Sequence, residues 1–213
     1  MGYLAECGYI LLVVAVTLAL HRYLHVGADV TRKLTHILIG FVFVIQYHFF
    51  REDALGLLLV PSLVTVGLFL VARFRLLPSM VNPKNPYGIF YYAFSITLSN
   101  AVAAVYPPYL AAEGAAVACL AFGDGFAALL TSRLRHRHAL LFGKSWEGTL
   151  ICFLFAAAGI ALLGLLFPPL ALSPWLLVTA AAAAAVLELI SGKYDNPAIV
   201  LGVGALVALL SLC

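Results

Sequence analysis

Charge is scarce in this chain of 213 residues: twelve Lys and Arg with nine Asp and Glu make up 10% of it, against roughly 25% in soluble domains. That scarcity excludes an ordinary water-soluble globule. Cysteine is sparse too, since Cys7, Cys119, Cys152 and Cys213 stand singly in apolar stretches without C-x-x-C spacing. A zinc site and a disulfide framework are thereby excluded, and the four read as packing residues. No internal repeat of 20 to 50 residues and no long polar linker interrupts the chain, so 1–213 read as one integral-membrane domain. A basic segment before the first apolar run is missing and Glu6 stands within that run, which argues for an uncleaved first helix over a signal peptide. Glu6 also occupies the place where a myristoylation signal needs Ser or Thr. A net charge of +3 is too small to point to a nucleic-acid partner.

What the chain has is apolar length. Hydrophobic residues make up 64% of it and the mean hydropathy is +1.08. Windows long enough to span a bilayer fall at 3–20, 34–50, 54–72, 88–106, 109–131, 147–167, 174–191 and 197–212. The expected fold is therefore all-α, a polytopic membrane helix bundle of about eight transmembrane helices. With eight spans, the odd-numbered loops carry Arg22, Arg32, Lys33, Arg73, Arg75, Lys84, Arg133, Arg135, Arg137, Lys144 and Lys193, which is eleven of the twelve basic residues. Only Arg51 falls on the other face, beside Glu52 and Asp53. The positive-inside rule then puts the odd loops in the cytoplasm and both termini outside.

This topology assigns depths to the polar residues. Lys33 and His36, three apart at the cytoplasmic start of the second span, share a helix face. At 1.5 Å per residue, Asp124 lies about 22 Å along the fifth span and Glu188 about 20 Å along the seventh, both near the cytoplasmic end. Asp195 and Asn196 sit in the last cytoplasmic turn, with Pro197 suited to the first position of the eighth span. These positions gather in one slab at the inner membrane surface, whereas a transporter places its polar residues at mid-depth. Asn100, about 18 Å into the fourth span, is the clear mid-depth exception.

The string Gly143-Lys144-Ser145-Trp146-Glu147-Gly148 reads as a helix start. Ser145 is a good N-cap and Glu147 suits the first turn. Open N–H groups at such an end bind anions, Lys144 adds a point charge, and Gly143 and Gly148 let backbone approach a phosphate. A P-loop is excluded, because His138 stands where its first glycine belongs and no strand precedes the loop. Plainer readings exist for each feature: arginines facing anionic lipid, an ordinary helix cap, a bundle-internal Glu188, turn chemistry at Asp195-Asn196-Pro197. An aspartate between two glycines inside a span is the hardest of these to explain as structure.

These residues resemble a known family. Arg32-Lys33-x-x-His36, Gly88-x-x-Tyr91-Tyr92, Gly123-Asp124 with Ala127 and Arg133, Lys144-Ser145-x-Glu147-Gly148-Thr149, and Glu188 with Asp195-Asn196 follow the order seen in the dolichol kinase, phytol kinase and CTP-dependent diacylglycerol kinase family of membrane lipid kinases. The Asp-to-Glu-Gly segment resembles that family's cytidine-nucleotide motif, although Thr131 and Arg135 stand where the family usually has glycines. The resemblance implies CTP-dependent phosphorylation of a membrane lipid alcohol, a polyprenol, a phytol-type prenol or a diacylglycerol, at the cytoplasmic face. It further implies Mg²⁺ on Asp124 and Asp195 with Glu147 as a third ligand, and a triphosphate held by Lys144, Arg133 and the segment from Gly143 to Gly148, with Arg32 and Asn196 nearby. Lys33 would stabilise the transferred phosphoryl group, and either His36 or Asp195 would take the hydroxyl proton. The partners implied are the lipid alcohol, the nucleoside triphosphate and membrane lipid; oligomeric state is left open. Two rivals are a CTP:phosphatidate cytidylyltransferase, whose dense Asp-Arg-Asp signature is absent here, and a small membrane transporter.

Overall fold

The computed structural model describes residues 1–76 and 85–212; Lys84 of the basic loops and Cys213 lie outside the described residues. All regular structure there is helical, as expected. The chain divides into two compact units, Met1–Pro107 and Pro108–Cys213. Among the described residues seven helical stretches are long and apolar enough to cross a membrane: Gly2–Tyr23, Ala28–Phe50, Ala54–Phe74, Gly88–Val105, Pro107–Thr131, Trp146–Leu166 and Gly192–Leu210. The expected seventh span is the exception. Pro174–Ile190 has 17 residues, about 26 Å by helical rise and a few ångströms short of a bilayer core of about 30 Å. The second span starts earlier than hydropathy indicated, because polar Asp29, Arg32 and Lys33 form its first turns on an amphipathic helix.

The first unit holds α1 (Gly2–Tyr23), α2 (Ala28–Ile39), α3 (Val42–Phe50), α4 (Ala54–Phe74) and α5 (Gly88–Val105). Between α2 and α3 the helix breaks at Gly40-Phe41: the Gly40 N–H turns to Ile37 O, one residue short of the α pattern. Two tyrosines from other helices serve the carbonyls around this break. Tyr92 Oη donates to His36 O at 2.8 Å and Tyr9 Oη donates to Leu38 O at 2.8 Å. In the middle of α3, Gln46 Nε2 donates to Glu6 Oε1 at 2.7 Å between two side chains sealed from solvent. Those two interruptions of the apolar pattern are thus one interhelical bond.

Proline explains Asn100. Pro61 lies inside α4 and has no N–H, so the carbonyl four residues earlier, Leu57 O, loses its helical donor. Asn100 Nδ2 on α5 donates to that oxygen at 2.8 Å, with both groups buried. Thr65 and Thr97 add a second bond between the same helices at 2.9 Å. The mid-depth residue that would suit a transporter is therefore occupied with backbone repair.

The second unit holds α6 (Leu110–Ala118), a π-helical turn (Cys119–Asp124), α7 (Gly125–Thr131), α8 (Trp146–Leu166), α9 (Pro174–Ile190) and α10 (Asp195–Leu210). The π-turn packs against α8, α9 and α10, and Cys119, Leu120 and Ala121 have no exposed surface. A stripe of small residues on α8 makes room for it. A Cβ on Gly123 would lie 3.1 Å from Ala156 Cβ and from both the carbonyl O and Sγ of Cys152. The glycine before Asp124 thus serves close helix packing. Cys119 and Cys152 are buried thiols, as expected of packing residues, whereas Cys7 is exposed on α1. The start of α10 also differs from expectation, since the helix begins at Asp195, two residues ahead of Pro197.

Replacing Asn100 by Leu strips the donor from Leu57 O and is expected to lower stability by about 1–3 kcal/mol. In a Pro61→Ala background residue 61 supplies its own N–H to Leu57 O, so Asn100→Leu is expected to cost about 1 kcal/mol less there than in the wild type. Thermal unfolding of the four proteins of this cycle in detergent measures the coupling; additive losses would contradict it.

Candidate active site

Lys144 lies in a tight turn just ahead of α8. Its N–H bonds Leu141 O at 2.9 Å, its carbonyl accepts from Leu140 N at 2.8 Å, and Trp146 N donates to His138 O at 3.0 Å. The central residues Phe142 and Gly143 both have positive φ, 51° and 76°. That is the left-handed pair a type I′ hairpin turn requires, and Gly143 supplies half of it without strain. The turn aims the lysine inward. Its Nζ donates to Glu188 Oε1, near the end of α9, and to Asp195 Oδ2 at 3.0 Å, at the start of α10. Asp195 Oδ1 accepts from Asn196 N at 2.9 Å. Asp124, buried at the end of the π-turn, acts on the same ammonium electrostatically.

Burial pulls the ammonium toward its neutral form, but Asp195, Asp124 and Glu188 together outweigh burial and raise its pKa well above the ordinary lysine value. Lys144 is therefore charged throughout the physiological range. Four residues expected to share a site, Asp124, Lys144, Glu188 and Asp195, are thus brought together in the second unit.

The start of α8 follows the sequence reading in one respect and departs from it in another. Ser145 is its N-cap, with Oγ accepting from Gly148 N at 3.2 Å. But donors of the first turn are engaged, Trp146 N by His138 O and Gly148 N by the cap, and Thr149 N already bonds Ser145 O. The Glu147 carboxylate turns back over the loop, accepting from His138 N at 3.1 and 3.2 Å and meeting His138 Nδ1 at 2.5 Å. It clasps the basic segment, so a metal-ligand role would require it to leave His138. Arg133, Arg135 and Arg137 remain exposed on that segment.

In the first unit Arg32 pairs with Asp29 at 3.0 Å, and Lys33 and His36 are half-buried on α2. Tyr92 caps the His36 carbonyl, and the two rings lie tilted by 46° with their centroids 4.0 Å apart. Tyr92 thus holds the backbone at His36, and its signal in the sequence is the Gly88-x-x-Tyr91-Tyr92 string. Glu113 is sealed within α6 and nothing in its sequence surroundings marked it. Among the described residues no three of His, Cys, Asp and Glu stand close enough to hold a metal ion as they are.

Lys144→Met leaves Glu188 and Asp195 without their ammonium. With the pair about one-fifth exposed at the lysine, the expected loss is about 2–3 kcal/mol, below the 3–5 of a fully buried pair. The sign of the pH effect follows from the raised pKa: the contribution is complete below the ordinary lysine value of about 10.5 and is lost only as pH rises through the folded-state value. Wild-type and Lys144→Met unfolding midpoints are expected to differ by the same amount at pH 7 and pH 9; a difference that shrinks markedly over this range would contradict the charge state given.

Over 128 residues the chain is 37% identical to a phytol kinase of Synechocystis sp., a match that covers 58% of this chain and 53% of that protein. The chain thus matches about half the length of this curated relative. No family model matches the chain, and no solved structure matches it.

Proposed function

We propose that the protein is a membrane lipid-alcohol kinase, transferring the terminal phosphoryl group of a nucleoside triphosphate to the hydroxyl of a prenol of the phytol type. The observation that carries this reading is the cluster of Lys144 with Asp124, Glu188 and Asp195, set at the polar ends of helices that are otherwise apolar. The resemblance to a phytol kinase supports it independently. Phosphoryl transfer asks little covalent chemistry of a protein. It needs charge neutralised around the moving group and the two oxygens held in line. Carboxylates beside a lysine meet the first of these needs. Asp124 and Asp195 fit Mg²⁺, which usually keeps one or two carboxylates along with phosphate oxygens. Bound Mg²⁺ would supply charge neutralisation of the phosphates.

Lys144 and Arg133 are the cations of the second unit we assign to the triphosphate, with CTP as the donor on the strength of the sequence motif. Since Trp146 N and Gly148 N are engaged, α8 is assigned to holding Lys144 more than to direct phosphate contacts. Glu147 is assigned to holding the arginine segment through His138. In the first unit Lys33 is assigned to the transferred phosphoryl group. Either His36 or Asp195 is assigned as acceptor of the hydroxyl proton. The distribution of basic residues supports a cytoplasmic location for this chemistry.

The test is an assay of purified full-length protein with CTP or ATP and with phytol, geranylgeraniol, dolichol or diacylglycerol in mixed micelles. Formation of CDP and a prenyl monophosphate is expected. Release of pyrophosphate with phosphatidate as acceptor would establish the cytidylyltransferase chemistry instead. Asp124→Asn is expected to lower kcat/KM by about 10²-fold or more. Tyr92→Phe, which loses only the hydroxyl that holds His36 O, is expected to lower kcat by several-fold with the nucleotide KM unchanged. Transfer undiminished in Asp124→Asn would remove Asp124 from the reaction.

A further inference from the structure

Glu188 brings two oxygens to the cluster, and Lys144 uses one. Oε2 is buried, in a residue only 4% exposed, and has no hydrogen-bond partner among the described residues. A carboxylate oxygen left bare in a buried site costs about 1–3 kcal/mol or more. Lys144 and Asn196 provide donors to the neighbouring carboxylates, but neither reaches this atom in the arrangement seen. A hard divalent cation would, since it binds oxygens without the directional demands of an N–H and gathers several at once.

The ammonium marks a point on which two of the carboxylates, Glu188 and Asp195, converge. Lys144 Nζ holds Asp195 Oδ2 at 3.0 Å, whereas Mg²⁺ draws its oxygens in to about 2.0–2.1 Å. As they stand, no three of the described carboxylates form a metal cage, so an ion would have to draw them together. The lysine is also able to leave. Its stem is a flexible four-carbon chain, and it springs from a turn whose tip residues, Leu141, Phe142 and Gly143, are exposed.

We propose that the Lys144 ammonium occupies the place of a divalent cation, that the cation displaces it to bind Asp124, Asp195 and both oxygens of Glu188, and that the released lysine turns to the anion that accompanies the ion. Glu188, not Glu147, is then the third carboxylate of the site. The exchange stands on the geometry of the second unit; only its last clause, the delivery of Lys144 to a phosphate, rests on the kinase reading. Exchange makes the site self-ordering. An ammonium guards the carboxylates until an ion arrives, and becomes available to the triphosphate only then.

Mn²⁺ is the probe, titrated by electron paramagnetic resonance against full-length protein in nanodiscs without nucleotide or lipid alcohol. Lys144→Met is expected to bind Mn²⁺ at least about tenfold more tightly than wild type, and Mn²⁺ is expected to raise its unfolding midpoint more than that of wild type. Adding Glu188→Gln is expected to abolish the gain. A readout that needs no substitution is labelling of Lys144 by an amine-reactive reagent, read by mass spectrometry: saturating Mn²⁺ is expected to increase it several-fold in the wild type. Equal affinities in wild type and Lys144→Met, a gain that survives Glu188→Gln, or labelling that stays level or falls with Mn²⁺ would each overturn the exchange. Failure of the kinase reading would look different, namely no phosphoryl transfer with these Mn²⁺ results intact.

Discussion

One ammonium among carboxylates is the contact on which the second unit is organised. Lys144 joins the turn before α8 to the end of α9 and the beginning of α10, and acts on the last residue of the π-turn. Buried acids are tolerable in apolar surroundings only with a counter-charge close by. Position therefore matters as much as charge here. The type I′ turn, the Ser145 cap and the Glu147–His138 clasp all serve to deliver one Nζ to its place.

A second constraint runs through both units: where a helix departs from the regular pattern in a setting without water, a side chain from another helix must repair it. Pro61 bares Leu57 O and Asn100 covers it. The Gly40-Phe41 break leaves His36 O to Tyr92 and involves Leu38 O with Tyr9. The π-turn is accommodated by small residues of α8, with Gly123 against Cys152 and Ala156. The polar side chains of the first unit's interior are thus largely spent on backbone. The carboxylates of Glu188 and Asp195 are of another kind, since they meet a cation.

Much of this was legible in the sequence because the signals were local. Apolar length marked the spans, Ser145 announced the cap of α8, and Asp124, Lys144, Glu188 and Asp195 stood out as charges that apolar helices do not need. What stayed hidden depended on contacts remote in sequence. Nothing near Asn100 reveals that Pro61 lies opposite, and nothing near Glu147 says that its carboxylate reaches back nine residues to His138. The N–H groups of α8 looked open because an N-terminus read alone always has unpaired donors; the hairpin that engages one of them closes through backbone bonds that carry no side-chain signature. The π-turn was invisible for a related reason, as hydropathy does not register one extra residue per turn.

The pairing of Pro61 with Asn100 bears on how the protein is made. α4 precedes α5 in the chain, and until α5 packs against it the carbonyl of Leu57 lacks a donor. Inserted alone, α4 is an incomplete element. The two helices are in that sense a single unit of biogenesis, and residue 61 and residue 100 would be inherited together or lost together.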